Sequence, residues 1–207
     1  MPATARIAPS QVPRPVFWPM ISPSSGTTIT YSPVMNPELV TLVNSSPTCC
    51  RLMPSVSASH DAIATLADLP AAIARYLDAQ GEARTLCLPP DPRLERCDWS
   101  GFILHDVAAP AETAALAIAR RGIAETGSLV FETGPAAPML PNFLALHHIV
   151  LLASRDIAPY LEDAPLPGPQ PRAHYWITGV SGTTDIEGTY VRGAHGPRFL
   201  HVILLRD

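Results

Sequence analysis

The chain has 207 residues, a net charge of −4 and a hydrophobic fraction of 47% against 15% charged residues. That is long and apolar enough for one full core, which argues against overall disorder. With no run of Lys or Arg, the sequence lacks the clustered basic footprint of a nucleic-acid or anionic-membrane partner.

Residues 1–57 differ from the rest: ten prolines, many Ser and Thr, and only Arg6, Arg14, Glu38 and Arg51 charged. No helical or alternating period persists there, and such a composition does not build a core of its own. The expectation is an atypical N-terminal segment over 1–57 and an α/β domain over 58–207. Either a genuine extension or a start-codon or reading-frame error accounts for the first segment. The N-terminus lacks a secretory pattern and no apolar stretch is long enough to span a membrane, which predicts a cytoplasmic protein with no membrane span. Cys49, Cys50, Cys87 and Cys97 form no C-x-x-C pair, so their spacing signals neither zinc nor an iron–sulfur cluster.

From His60 the pattern becomes regular. Asp61 to Gln80 predicts an amphipathic helix closed by Gly81. Thr85 to Leu88 and Gly101 to His105 predict short strands. Pro110 to Arg121 is Ala-rich, with Glu112 in its first turn and Arg120 and Arg121 in its last, and predicts a second helix. Ser128 to Glu132 predicts a strand, Met139 to Leu146 a helical turn, and His148 to Ala153 a buried strand. Ser154 is expected to cap a short helix reaching Leu161. A Pro-rich loop, 165–171, leads to strands at Tyr175 to Thr178 and Phe199 to Leu205. Short continuous apolar runs alternating with helices predict an open, mostly parallel sheet with helices on both faces.

Chemistry concentrates in three places. Ser181, Gly182, Thr183, Thr184, Asp185 and Glu187 form a hydroxyl-rich turn after an apolar run, which suits an anion cradle at a sheet's carboxyl edge. The same residues would equally cap a turn. Glu125, Thr126 and Gly127 lie in a connection where Glu125 is either a nucleophile or base or a turn carboxylate. His195, in a Gly-rich turn, is either a general acid–base or a loop histidine. His147 and His148 are adjacent, so on a strand they face opposite sides. No G-x-G-x-x-G, Walker A or H-E-x-x-H pattern occurs, so no dinucleotide, phosphate-loop or metal signature is legible.

The segment WITGVSGTTDIEGTYVRGAHGPRFLHVILL, residues 176–205, resembles the end of the LUD domain of the lactate-utilisation protein C family. ARRGIAETGSLVFE (119–132) is similar to that family's central signature, and PNFLALHHI (141–149) stands where the family has leucines and prolines before a histidine. The resemblance spans about residues 60–205. It implies the Rossmann-like fold shared with ribose-phosphate isomerases and CoA transferases. It further implies a non-redox subunit that binds a small organic acid or supports assembly in an iron–sulfur-dependent system oxidising L-lactate to pyruvate. The clusters would reside on partner proteins, with no cofactor in this chain, and Glu125, Asp185 and His195 would be the catalytic candidates. The alternative is a stand-alone enzyme of the same fold group acting on a sugar phosphate, acyl-CoA or organic acid, with Glu125 or Asp185 as base or nucleophile.

Overall fold

A computed structural model of the protein describes residues 58–163 and 171–206; the 1–57 segment and most of the Pro-rich loop lie outside them. In chain order the elements are β1 (Ala58–Ile63), α1 (Leu69–Gln80), β2 (Thr85–Cys87), β3 (Ile103–His105), β4 (Ala114–Ile118), β5 (Arg121–Ile123), β6 (Ser128–Glu132), α2 (Pro141–Leu144), β7 (His147–Ala153), β8 (Ile157–Ala158), β9 (His174–Thr178), β10 (Gly182–Thr184), β11 (Tyr190–Arg192) and β12 (Phe199–Leu205). Six strands form the central sheet in the order β1-β12-β7-β4-β2-β3, all pairs parallel. A second sheet runs β8-β5-β6-β9, and β10 and β11 make a separate antiparallel hairpin.

Strand alternation builds the two faces. Leu116, Ile149, Leu151 and Ile203 point to α1, whose Leu69, Ala72, Ile73, Tyr76 and Leu77 recur at helical spacing. Ala117, Val150, Leu152, Leu200, Val202 and Leu204 point the other way, onto Leu129, Phe131 and Ile157 of the second sheet. The one-turn α2 sits on that side too, with Ala145 against Cys87 and Ala115. The architecture is the expected α/β, Rossmann-like, mainly parallel sheet, but where helices were expected on both faces the second face is covered chiefly by the second sheet.

Three local expectations are corrected. The helix expected from Asp61 begins only at Leu69, because residues 58–63 pair parallel with β12 as an edge strand. Thr65 ends that strand: its N–H and hydroxyl both donate to Asp68 Oδ2, at 2.9 Å each, before Pro70 opens the helix. Gly81 (φ 76°) closes it as expected. The Ala-rich 110–121 segment is not a helix but β4 and the start of β5. Buried between β2 and β7, its alanines obey the sheet rather than their helix propensity. The short helix expected from Ser154 to Leu161 does not form: a single 3-10 turn at Ser154–Asp156 precedes β8, and the Ser154 hydroxyl donates to the Leu205 carbonyl at 3.0 Å.

Candidate functional site

Where a parallel sheet reverses the direction in which strands are added, the strand ends splay and leave a crevice. Here the chain passes from β2 to β3 on one side, then resumes with β4 on the other side of β2. A crevice of about 260 Å³ lies beside that junction, lined by Pro89 beyond β2 and by Leu116 to Ile118 and Arg120 of the β4 end. Its remaining wall comes from Phe131 and Glu132 of β6, the 134–138 loop, Asn142 of α2 and Tyr175 of β9.

The crevice has a mainly apolar lining carrying a few charge-balanced polar groups. Arg93 binds Asp91 through two hydrogen bonds of 2.9 and 2.7 Å, and Arg120 Nε lies 3.2 Å from Glu132 Oε2. Both arginine side chains remain more than half exposed, so they are reachable from solvent. Asn142 Nδ2 donates to the Tyr175 hydroxyl at 2.6 Å, which fixes two polar groups on the inner wall. Burial pushes the Tyr175 phenol up and holds it protonated, against the opposing effect of the Asn142 hydrogen bond. Behind Phe131 sits His148, fully buried with neither ring nitrogen hydrogen-bonded; burial drives it down to about 3, so it is neutral.

The sequence-derived candidates fall elsewhere. Glu125, Thr126 and Gly127 form the turn between β5 and β6 in the second sheet, not a helix end. Glu125 is exposed and its N–H donates to the Pro159 carbonyl. Thr126 Oγ1, Ser128 Oγ and Thr178 Oγ1 form a hydroxyl chain with 2.6 Å links that ties this turn to the end of β9. Gly182, Thr183 and Thr184 are β10 of the hairpin rather than a cradle at the parallel sheet's carboxyl edge. A Cβ on Gly182 would collide with the Tyr190 ring of β11, so a side chain of the hairpin, not a ligand, occupies that space. Asp185 Oδ1 accepts the N–H groups of Glu187 (2.9 Å) and Thr189 (2.8 Å), the turn-capping arrangement.

His195 lines a second cavity of about 460 Å³ at the opposite, amino-terminal edge, and Ser181 lies against Gly196 beside it. Glu112 and Thr113 before β4, Leu144 to Leu146 before β7, and Gly193, His195 and Gly196 before β12 line it. Ser181 is fixed there: its N–H donates to the Pro197 carbonyl and its carbonyl accepts from Gly193. The seven candidates at 125–127 and 182–185 line neither cavity, and nor does Glu187.

Sequence reasoning missed Arg93, Arg120, Glu132, Asn142 and Tyr175. Reading residues 114–118 as a strand would have placed Arg120 just beyond a carboxyl end, where such folds bind ligands. It also missed Glu112, which is buried, 2.7 Å from His105 Nε2, and accepts the Ala109 N–H at 3.1 Å. Nearby Cys87 is pushed up to about 11 by burial, then by the negative charges of Glu112 and Asp106, so the free thiol is not a thiolate at neutral pH.

A parallel sheet with a crevice at its switch point defines a Rossmann-like α/β fold. The family model of the LUD domain matches residues 108–205, from the loop before β4 to the end of β12. The fold is similar to that of a DUF162 family protein from Deinococcus radiodurans, with a TM-score of 0.55 and 20% identity over 76% of this chain and 94% of that chain. No curated protein matches. Among the described residues, no helix is long and apolar enough to cross a membrane.

Proposed function

We propose that this chain is a non-redox, organic-acid-binding component of a cytoplasmic iron–sulfur-dependent system that oxidises L-lactate to pyruvate. The LUD family is associated with lactate utilisation. The observation that carries the reading to a site is the crevice at the β2/β4 switch point, inside the matched segment on its β4 and β6 walls. Each arginine there already has an acidic partner, so the site favours a ligand offering both a carboxylate and a hydroxyl donor over a bare anion. The carboxylate accepts from Arg120 or Arg93, and the hydroxyl donates to the Glu132 or Asp91 carboxylate thereby released. The volume suits a ligand of a few heavy atoms rather than a nucleotide. Electrons from lactate pass to clusters on the partner proteins, which this chain serves by binding substrate or supporting assembly.

The stand-alone enzyme reading gave the chemistry to Glu125 or Asp185. Both lie outside the two cavities, and Asp185 is engaged in its turn. The test is thermal stabilisation of the full chain by L-lactate, pyruvate, CoA and ribose 5-phosphate, repeated with Arg120→Ala. Stabilisation by lactate or pyruvate, weakened about 10-fold or more in Arg120→Ala, is expected for a lost charge-assisted pair. Stabilisation by CoA or ribose 5-phosphate alone would overturn the lactate reading in favour of the isomerase and CoA-transferase group. An anaerobic pull-down assayed for lactate-dependent dye reduction tests the partners separately.

A further inference from the structure

Three side chains that the sequence keeps apart converge on one face of the central sheet. Cys87 ends β2 and is in register with His105, which ends β3, so the parallel pairing presents both on the same side. Glu112 reaches them from the loop before β4. One donor atom from each, a thiol sulfur, an imidazole nitrogen and a carboxylate oxygen, lies within 4.8 Å of the other two. Around them are Ala108, Ala115 and Ala145, small apolar side chains that give a carboxylate and a thiol no reason to gather there. Both hydrogen bonds of Glu112 fall on Oε2, leaving Oε1 and the Cys87 sulfur without one among the described residues.

We infer that Cys87, His105 and Glu112 form a binding site for a zinc-class divalent cation. Mixed sulfur, nitrogen and oxygen donors match zinc, whereas magnesium and calcium take oxygen ligands throughout. Atoms bound at the usual zinc distances sit roughly 3.3–3.7 Å apart around a tetrahedral ion, so the cluster closes on it by small side-chain shifts. Three protein ligands leave a fourth position, the pattern of zinc sites that meet a water or substrate rather than sites that only hold the fold. Glu112 belongs also to the wall of the amino-edge cavity, facing the loop that carries His195. That cavity is the entry path for the ion and for its fourth ligand. No motif announces this site, because its ligands come from three elements with no short spacing between them.

The test uses the reduced, chelator-treated full chain in a Cys49→Ser, Cys50→Ser background, which removes the adjacent cysteines as competing ligands. Zinc uptake is followed by competition with a metallochromic indicator, and cobalt(II) serves as the spectroscopic probe of a thiolate ligand. Stoichiometric zinc uptake, a raised melting temperature and a cobalt–thiolate charge-transfer band are expected. Loss of one ligand in His105→Ala or Glu112→Gln should weaken zinc binding by more than about 100-fold. Cys87→Ser should abolish the charge-transfer band. Because Cys87 is buried, the partly exposed His105→Ala carries the decision, with its metal-free melt as the check on folding. Failure of the background chain to take up zinc, or undiminished uptake by a folded His105→Ala variant, overturns the site.

Discussion

The central sheet and the β10–β11 hairpin are both made of strands, yet different forces hold them. In β7 and β12, Ile149, Val150, Leu152, Val202 and Ile203 are wholly buried, and each strand has a parallel neighbour on either side. In the hairpin Ile186, Tyr190 and Val191 are exposed, and the turn rests on hydrogen bonds to Asp185. Apolar burial contributes about 25 cal/mol per Å², so the first region carries the stability. The second is held by local polar contacts with solvent on both sides, and it opens at a far lower cost. That contrast separates residues that matter for folding from residues placed where a partner can reach them.

The largest effect should come from Leu152, wholly buried where β7 meets the second sheet. Its Cδ2 would lie only 2.8 Å from a Cβ built on Gly122 of β5, so the two sheets touch at this side chain. Leu152→Ala should cost about 2–5 kcal/mol, part lost burial and part residual cavity. Urea unfolding reads it, and a loss under about 1 kcal/mol would mean that the two sheets do not share one cooperative core.

Buried histidines give the same core a pH dependence. Burial drives His148 down to about 3. It takes His201 to about 4, with Asp61 opposing and His60 reinforcing the shift. His147 is lowered as well, chiefly by burial, against the pull of Glu82. The unfolded chain binds these protons near the ordinary value of 6.5 while the folded chain refuses them, so stability rises with pH below that value. Full stability holds above about pH 6.5 and is lost as the pH falls toward 3. Between pH 6.5 and 5 the loss should be about 2 kcal/mol each for His148 and His201, before most carboxylates titrate. Urea melts at pH 7 and 5 that coincide would show these rings already protonated in the fold. Ser59 Oγ is hydrogen-bonded to His201 Nδ1 at 2.9 Å, and Tyr76 stacks on the His201 ring.

What was legible in the sequence divides along the same line. Strands β7 and β12 were readable because continuous apolar runs have no other home than a sheet covered on both faces. β4 was not, because AALAI satisfies helix propensity and becomes a strand only through its neighbours β2 and β7. β1 was hidden because its polar His60 and Asp61 suit an edge strand and a helix start equally well. The misplaced β4 then concealed the crevice, since Arg120 acquires meaning only at a strand end. Ser181 to Glu187 has the composition of a cradle, but Asp185 spends its carboxylate on its own turn. Register alone unites Cys87 with His105, and no spacing rule reaches across it.

The smallest effect sharpens the comparison most. Asp185→Ala removes the acceptor of two backbone N–H groups at an exposed turn, where water replaces the lost bonds. Global stability should fall by less than about 1 kcal/mol, because the unfolding unit is the sheet and the hairpin can open without it. Amide exchange at Glu187 and Thr189 should quicken while Val150 and Ile203 stay protected, and organic-acid binding should be unchanged. A variant that keeps its melt but loses lactate-induced stabilisation would return Asp185 to the ligand, and with it the hydroxyl-rich hairpin. Unchanged binding with faster local exchange would leave Asp185 as the cap of an exposed arm and the switch-point crevice as the ligand's place.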